Sequence, residues 1–393
     1  MAGTSLATAA SERLRELARR LNEHEGFADV VSALSRGQPA TLDGVWGSSC
    51  ALVAAELARM AAGPLVVVCP HQDEIDTFCD DFSLFSPVAV TRFPAWESEP
   101  GERILHDEVH AERLRTLKQL IRAAGPKTTP QGAAPPAAPS EPAAFPRLIA
   151  TSIHSLMQPA PSRERLAASS RRLGVGQRVD LGALLAWLVQ RGFHATTAVE
   201  LPGEFSSRGG LLDVFATDWY QPVRVEFFDD VVESLRRFDV QTQRSLEALD
   251  EIEITVIAPA ADDRGHFADY LPPSSIFLFH ELERSEEEAK AYLTRLERPQ
   301  DLHSFTEVLQ RSARFGVATA SGLARGSLGA CHEYALPVGQ ADRQSPGRHA
   351  RPDGDRLAEP DQGGQSPARP VHARHRRRPD HPGGGRHPRA KGS

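Results

Sequence analysis

Apolar residues along this chain recur in two rhythms. Leu65 to Cys69 (LVVVC) is short and continuously apolar, the pattern of a strand buried on both faces of a parallel sheet. Val88 to Phe93, Arg147 to Ala150, Ser275 to Phe279 and Phe315 to Ala320 also read as strands. Between them apolar positions return at helical spacing over Glu12–Leu21, Ser49–Met60, Ile75–Phe82, Asp107–Ile121, Ile153–Met157, Glu283–Glu297 and Phe305–Arg311. In Asp107–Ile121 the core side is Val109, Leu114, Leu117, Leu120 and Ile121, which leaves Arg113 and Arg115 for solvent. Strands alternating with helices predict an α/β fold on a parallel sheet.

The middle of the chain breaks that rhythm. Asp180 caps a helix over Leu181–Arg191 that Gly192 ends, and a strand is expected over Ala195–Leu201. Gly203, Gly209 and Gly210, with Ser206 and Ser207 between them, mark tight turns around a strand at Leu211–Ala216. From Val223 the chain alternates. Val223, Val225 and Phe227 share one face, Arg224, Glu226 and Phe228 the other, and Asp230 follows on that second side if the strand persists. An arginine, an aromatic and an acid on one face suit a partner surface. The plainer alternative has Phe228 covering the underside of a neighbouring helix. After Ala258 the α/β rhythm resumes, so a small α+β unit over 169–258 interrupts a domain formed by 1–168 and 259–335.

Composition narrows the class. A chain of 393 residues holds two or three domains at about 100–200 residues each. Cys50, Cys69, Cys79 and Cys331 have no regular spacing, which points to a reducing cytoplasm without a disulfide framework. Cys69, Cys79 and His71 lack the close spacing of a zinc site, so no metal is expected. No apolar run reaches the ~18 residues of a membrane span, and no signal peptide is visible. Residues 336–393 hold 12 of the 45 Lys+Arg and 6 of the 52 Asp+Glu, leaving 33 and 46 in residues 1–335. The body is therefore acidic, a poor start for binding DNA through its phosphates. Residues 123–146 are an Ala/Pro-rich flexible insertion. From Leu336 almost nothing apolar remains, which predicts a disordered basic tail. That tail is either a nucleic-acid arm through Arg374, Arg376, Arg377 and Arg378 or out-of-frame translation of a truncated gene, and the second is preferred.

RGGLLDVF, VRVEFFDDVVESLRRFD and TQRSLEALDEIEI, together with FPAWESEP and HAERLRTLKQL upstream, resemble the N-terminal region of bacterial transcription-repair coupling factors, the Mfd family. The likeness runs from about Ser35 to Ser321. A more distant form of the central module occurs in the excision-repair protein UvrB, and in both families it docks the damage sensor UvrA. The resemblance implies a UvrB-like first domain with an inserted UvrA-binding domain. It places UvrA contacts on Arg208, Arg224, Phe228 and Asp230, although Arg208 could instead brace its own turn. Trp96 could stack on a base but is better suited to anchoring packing.

The stretch DGVWGSSCALVAAELARM enters its helix as a phosphate-binding loop does. Laid on UvrB's pattern, Gly44 and Gly47 fit, but Cys50 stands where Lys should be and Ala51 where Ser/Thr should be. The expectation is a degenerate P-loop NTPase-like fold with no catalytic residues and no cofactor. ATP and Mg, like RNA polymerase and DNA binding, belong to further domains of the full-length family. The anticipated role is therefore UvrA recruitment in nucleotide excision repair. An ATP-dependent translocase, or nucleic-acid binding through the tail, are the alternatives.

Overall fold

The computed structural model describes residues 12–96, 108–125, 144–257 and 264–323. Most of the Ala/Pro insertion and all of the basic tail lie outside these residues.

In chain order the helices are α1 (12–20), α2 (Glu25–Ser35), α3 (Ser48–Met60), α4 (Glu74–Phe85), α5 (Glu108–Ala124), α6 (Ile153–Met157), α7 (Arg163–Ala168), α8 (Leu181–Gln190), α9 (Leu282–Arg295) and α10 (Phe305–Ser312). The strands of the first sheet are β1 (Ala40–Asp43), β2 (Leu65–Cys69), β3 (Val90–Phe93), β4 (Leu148–Ser152), β13 (Ile276–His280) and β14 (Gly316–Ser321). Those of the middle are β5 (Ser170–Gly174), β6 (His194–Ala195), β7 (Glu204–Arg208), β8 (Leu211–Val214), β9 (Val223–Phe228), β10 (Val231–Phe238), β11 (Ser245–Leu249) and β12 (Glu251–Thr255).

The first sheet is parallel, in the order β1-β14-β13-β2-β4-β3. Its continuous apolar strands are covered on both sides. Val66, Val68, Ile149, Phe277, Phe279 and Val317 face α5, α6, α9 and α10. Leu65, Val67, Leu148, Ala150, Leu278 and Ala318 face α2, α3 and α4. A parallel sheet needs crossover connections, and those helices supply its second covered face. β13 and β14 complete a sheet begun by β1–β4, so the chain leaves this domain after α7 and returns to it before β13, with Phe267 and Tyr270 already in its core.

The excursion builds a second sheet, β11-β10-β9-β8-β7-β6, with only the β6–β7 pairing parallel. α8 lays Leu184, Trp187 and Leu188 on Leu212, Val214, Val223, Val225, Phe227, Val232 and Leu235. β5 and β12 form a two-stranded ribbon that adds Leu173, Ile252 and Ile254 to the same core. The strand expected over Ala195–Leu201 stops at Ala195. Beyond it the Glu204 carboxylate accepts the backbone N–H groups of Glu200 and Leu201 at 2.8 and 2.9 Å, which ties them into a loop instead of a ladder.

A second correction concerns α5. Arg113 is buried, donating to Pro94 O at 2.6 Å and Ser155 Oγ at 2.7 Å with its guanidinium 4.1 Å from the Phe93 ring centre. Arg115 stacks on Tyr220 of the middle region at 4.3 Å. Both side chains are mostly covered because α5 packs against strands on one side and the inserted unit on the other. That second contact centres on Lys118, 4% exposed, which reaches Asp218 at 2.7 Å and Glu253 at 3.2 Å. Burial alone would raise the Glu253 carboxyl, but Lys118, Arg122 and Arg172 hold it below its ordinary value.

Candidate docking face and the phosphate-loop turn

The face of the second sheet turned away from α8 carries the residues of interest. β9 alternates as its sequence requires, with Val223, Val225 and Phe227 buried and Phe228 74% exposed. Phe228 therefore covers no helix. Register fixes its neighbours. Ser206, Asp213, Arg224 and Arg236 form one cross-strand row, and Arg208, Leu211, Glu226 and Ser234 the next. Val231 pairs with Phe228 in the last row before the turn. Three of the four carried-over residues, Arg208, Arg224 and Phe228, thus share this face.

Their electrostatic states differ. Arg224 is already engaged. Its Nε and Nη2 donate to the two Asp213 oxygens at 2.7 and 2.8 Å, and its guanidinium lies 4.8 Å from the Phe238 ring centre. The hydrogen bond to Asp213 pushes the Arg224 pKa above its already high value. Beneath that pair Val199, Phe215 and Phe238 make a small satellite core on the outer side of the sheet. Glu226 accepts from Ser234 Oγ at 2.6 Å and lies 3.8 Å from Arg236. Arg208 donates to a main-chain carbonyl, Thr197 O, at 2.8 Å and has no carboxylate against it among the described residues.

Asp230 sits beyond the end of β9, in the two-residue turn between Phe228 and Val231. Asp229 takes the left-handed conformation there, φ 56°, which short polar residues tolerate. Asp230 is paired with Arg178 at 3.0 Å, and its carbonyl accepts from Val179 N–H at 2.7 Å. The alternation extrapolated from β9 did not reveal this turn, nor the partner 52 residues away.

The phosphate-loop-like turn lies at the opposite kind of place, the carboxyl edge of the parallel sheet. Gly44 and Gly47 adopt positive φ, 73° and 53°, as the tight turn between β1 and α3 demands. Cys50 and Ala51 do not face that edge openly; both are buried on the inner side of α3. Burial, with a smaller contribution from Glu281, pushes the Cys50 thiol up to about 12. Glu281 follows β13 at φ 48° and accepts from Gly322 N–H at 2.7 Å. Trp46, at the tip of the turn, is 72% exposed. Trp96, by contrast, is a packing anchor, buried and stacked on His110 at 5.3 Å. Among the described residues no group of three or more His, Cys, Asp or Glu is arranged to hold a metal ion, and no helix is long and apolar enough to cross a membrane.

Comparison with known proteins follows the same division. Residues 172–261 match the family model of the UvrB interaction domain, and so include every residue of the outer face described above. The chain is 35% identical over 238 residues to the transcription-repair-coupling factor of Myxococcus xanthus, covering 58% of this chain and 18% of the relative. It is 30% identical over 219 residues to that of Escherichia coli K12, covering 56% and 17%, and 26% identical over 237 residues to that of Bacillus subtilis, covering 60% and 18%. The matched stretch is thus less than a fifth of these relatives' length. Over more than half of its own length the chain is similar to transcription-repair coupling factors, and residues 172–261 match the UvrB interaction domain.

Proposed function

We propose that this chain docks UvrA through the outer face of its second sheet, as the recruiting module of transcription-coupled nucleotide excision repair. The observation that carries the reading is Phe228, an aromatic left 74% exposed on a strand whose fold does not need it outside, within the domain matched as a UvrB interaction domain. Large exposed aromatics beside arginine are the usual energetic centres of protein interfaces. Arg208 supplies an available charge, while Arg224, held by Asp213, gives the face a fixed shape and a shared proton-donor edge. Asp230, partnered by an exposed arginine, can exchange that partner for one on UvrA. Binding of the purified chain to UvrA tests the reading. Phe228→Ala should weaken it about 30-fold, the equivalent of about 2 kcal/mol at an anchor residue.

In the same reading the first domain is a nucleotide fold that has lost its chemistry. A phosphate loop needs a Lys on the outer phosphates and a hydroxyl on Mg²⁺. Here the corresponding positions are a buried thiol and a buried methyl, and a carboxylate, Glu281, acts on that thiol. We therefore assign no ATP hydrolysis and no nucleotide cofactor to this chain. Phosphate release by the purified protein at a rate above a buffer blank, abolished in a Trp46→Ala, Gly47→Val variant, would refute that assignment.

A further inference from the structure

Phe228 does not stand alone, and its surroundings specify more of the partner than the four carried-over residues do. Continuing the β8–β9 register past Leu211 and Glu226 sets Gly210 opposite Phe227 and Gly209 opposite Phe228. Gly210 lies so close to β9 that a Cβ there would come within 2.6 Å of Phe227 O, and its own carbonyl accepts from Phe227 N–H at 2.7 Å. Gly209 sits at φ 61°, and nothing lies within 4 Å of the position a Cβ would occupy. The backbone beside Phe228 is therefore bare. The nearest side chain on β8 that shares the outer face is Leu211, 40% exposed although its chain neighbour Leu212 is wholly buried. Leu211 lies diagonally from Phe228, where side chains about 7–8 Å apart at Cα still meet. Val231 closes the other side of the ring, half-buried. Arg208, in the same row as Leu211, borders the bare strip with a charge that no carboxylate meets among the described residues.

We propose that Leu211 is a second apolar anchor of the docking face. Phe228 and Leu211 act as a pair of knobs beside the bare backbone at Gly209. The surface that receives them is an apolar groove with a carboxylate at the Arg208 end. This rests on the docking reading above and goes further by naming a residue and a partner chemistry. The open space at Gly209 leaves room for a side chain from the partner to lie across it in contact with both knobs. Burying both groups removes apolar surface from water at the centre of the contact, where such burial counts most.

The test is binding of the full chain to purified UvrA with four proteins: wild type, Leu211→Thr, Phe228→Ala and the double variant. Threonine keeps strand propensity, and unchanged thermal unfolding of Leu211→Thr checks that the sheet is intact; Leu211→Ala serves as a second truncation. Leu211→Thr should weaken binding about tenfold, and the double variant should lose less than the product of the two single losses, because adjacent residues share one contact. Arg208→Glu should weaken binding further than Arg208→Lys. Wild-type binding that Phe228→Ala weakens and both Leu211 variants leave untouched would overturn this inference alone. Wild-type binding indifferent to all of these variants would overturn both the inference and the proposed docking face. A well-folded wild-type chain that does not bind UvrA would remove both together.

Discussion

The two six-stranded sheets of this molecule share a strand count and little else. The parallel sheet is covered on both faces, so its central strands β2 and β13 are almost wholly apolar and its chemistry can reach solvent only at its ends and edges. The second sheet is covered on one face by α8, and its other face is free to carry charge and an aromatic. In the first, the two α3 positions nearest one edge turn, Cys50 and Ala51, are both buried and offer that edge neither a cation nor a hydroxyl. In the second, a whole row-and-column lattice of side chains is available, and losing one residue leaves the rest.

That contrast predicts a ranking of effects. The largest is expected at the seam between the regions. Lys118→Met strips the cation from Asp218 and Glu253, leaving two acids at a site where Lys118 is 4% exposed, and should cost about 3–5 kcal/mol in urea unfolding. Next comes the covered sheet itself. Cys50→Lys forces an ammonium into the buried side of α3 and should cost about 2–4 kcal/mol, with no nucleotide binding gained in return. A tolerated lysine would show that the turn is still open to a phosphate.

A smaller effect follows acidification. His266 is fully buried, and its pKa is lowered to about 3 by burial first and by His303 and Arg311 next. Unfolded, it binds a proton near its ordinary value of about 6.5. Between those values the unfolded chain holds more protons, so stability should be complete above pH 6.5 and fall as pH drops below it. His154 and His280, also lowered chiefly by burial, act in the same direction. His266→Asn keeps an acceptor for Ala268 N–H and should flatten the acid limb of a stability–pH curve. The smallest effect belongs to the open face. Phe228→Ala should change unfolding free energy by no more than about 0.5 kcal/mol, since the ring is mostly in water already.

Alternation was the legible part of this chain. The continuous run at Leu65–Cys69 and the period-two pattern from Val223 gave each sheet its character, because one reports burial on both faces and the other on one. The outward direction of Arg224 and Phe228 followed from the alternation, whereas Arg208, expected in a turn, ends the strand β7. What stayed hidden depends on contacts distant in sequence. Arg113 reads as a solvated helix residue until Pro94 and Ser155 are brought against it. Arg224 looks available until Asp213 on the neighbouring strand is in register with it. Asp230 looks like part of β9 until Asp229 turns the chain. β5 and β12 pair residues about 80 positions apart, and no local signal announces that ribbon.

The most direct measurement sets the two regions against each other in one binding experiment. Affinity for UvrA would be compared among the wild-type chain, Phe228→Ala on the open face and Trp46→Ala at the edge turn, two exposed aromatics of similar accessibility. The wild-type chain should bind tightly, Phe228→Ala about 30-fold more weakly, and Trp46→Ala as tightly as wild type. Binding that Trp46→Ala abolishes and Phe228→Ala spares would place recruitment on the parallel sheet and not on the open face.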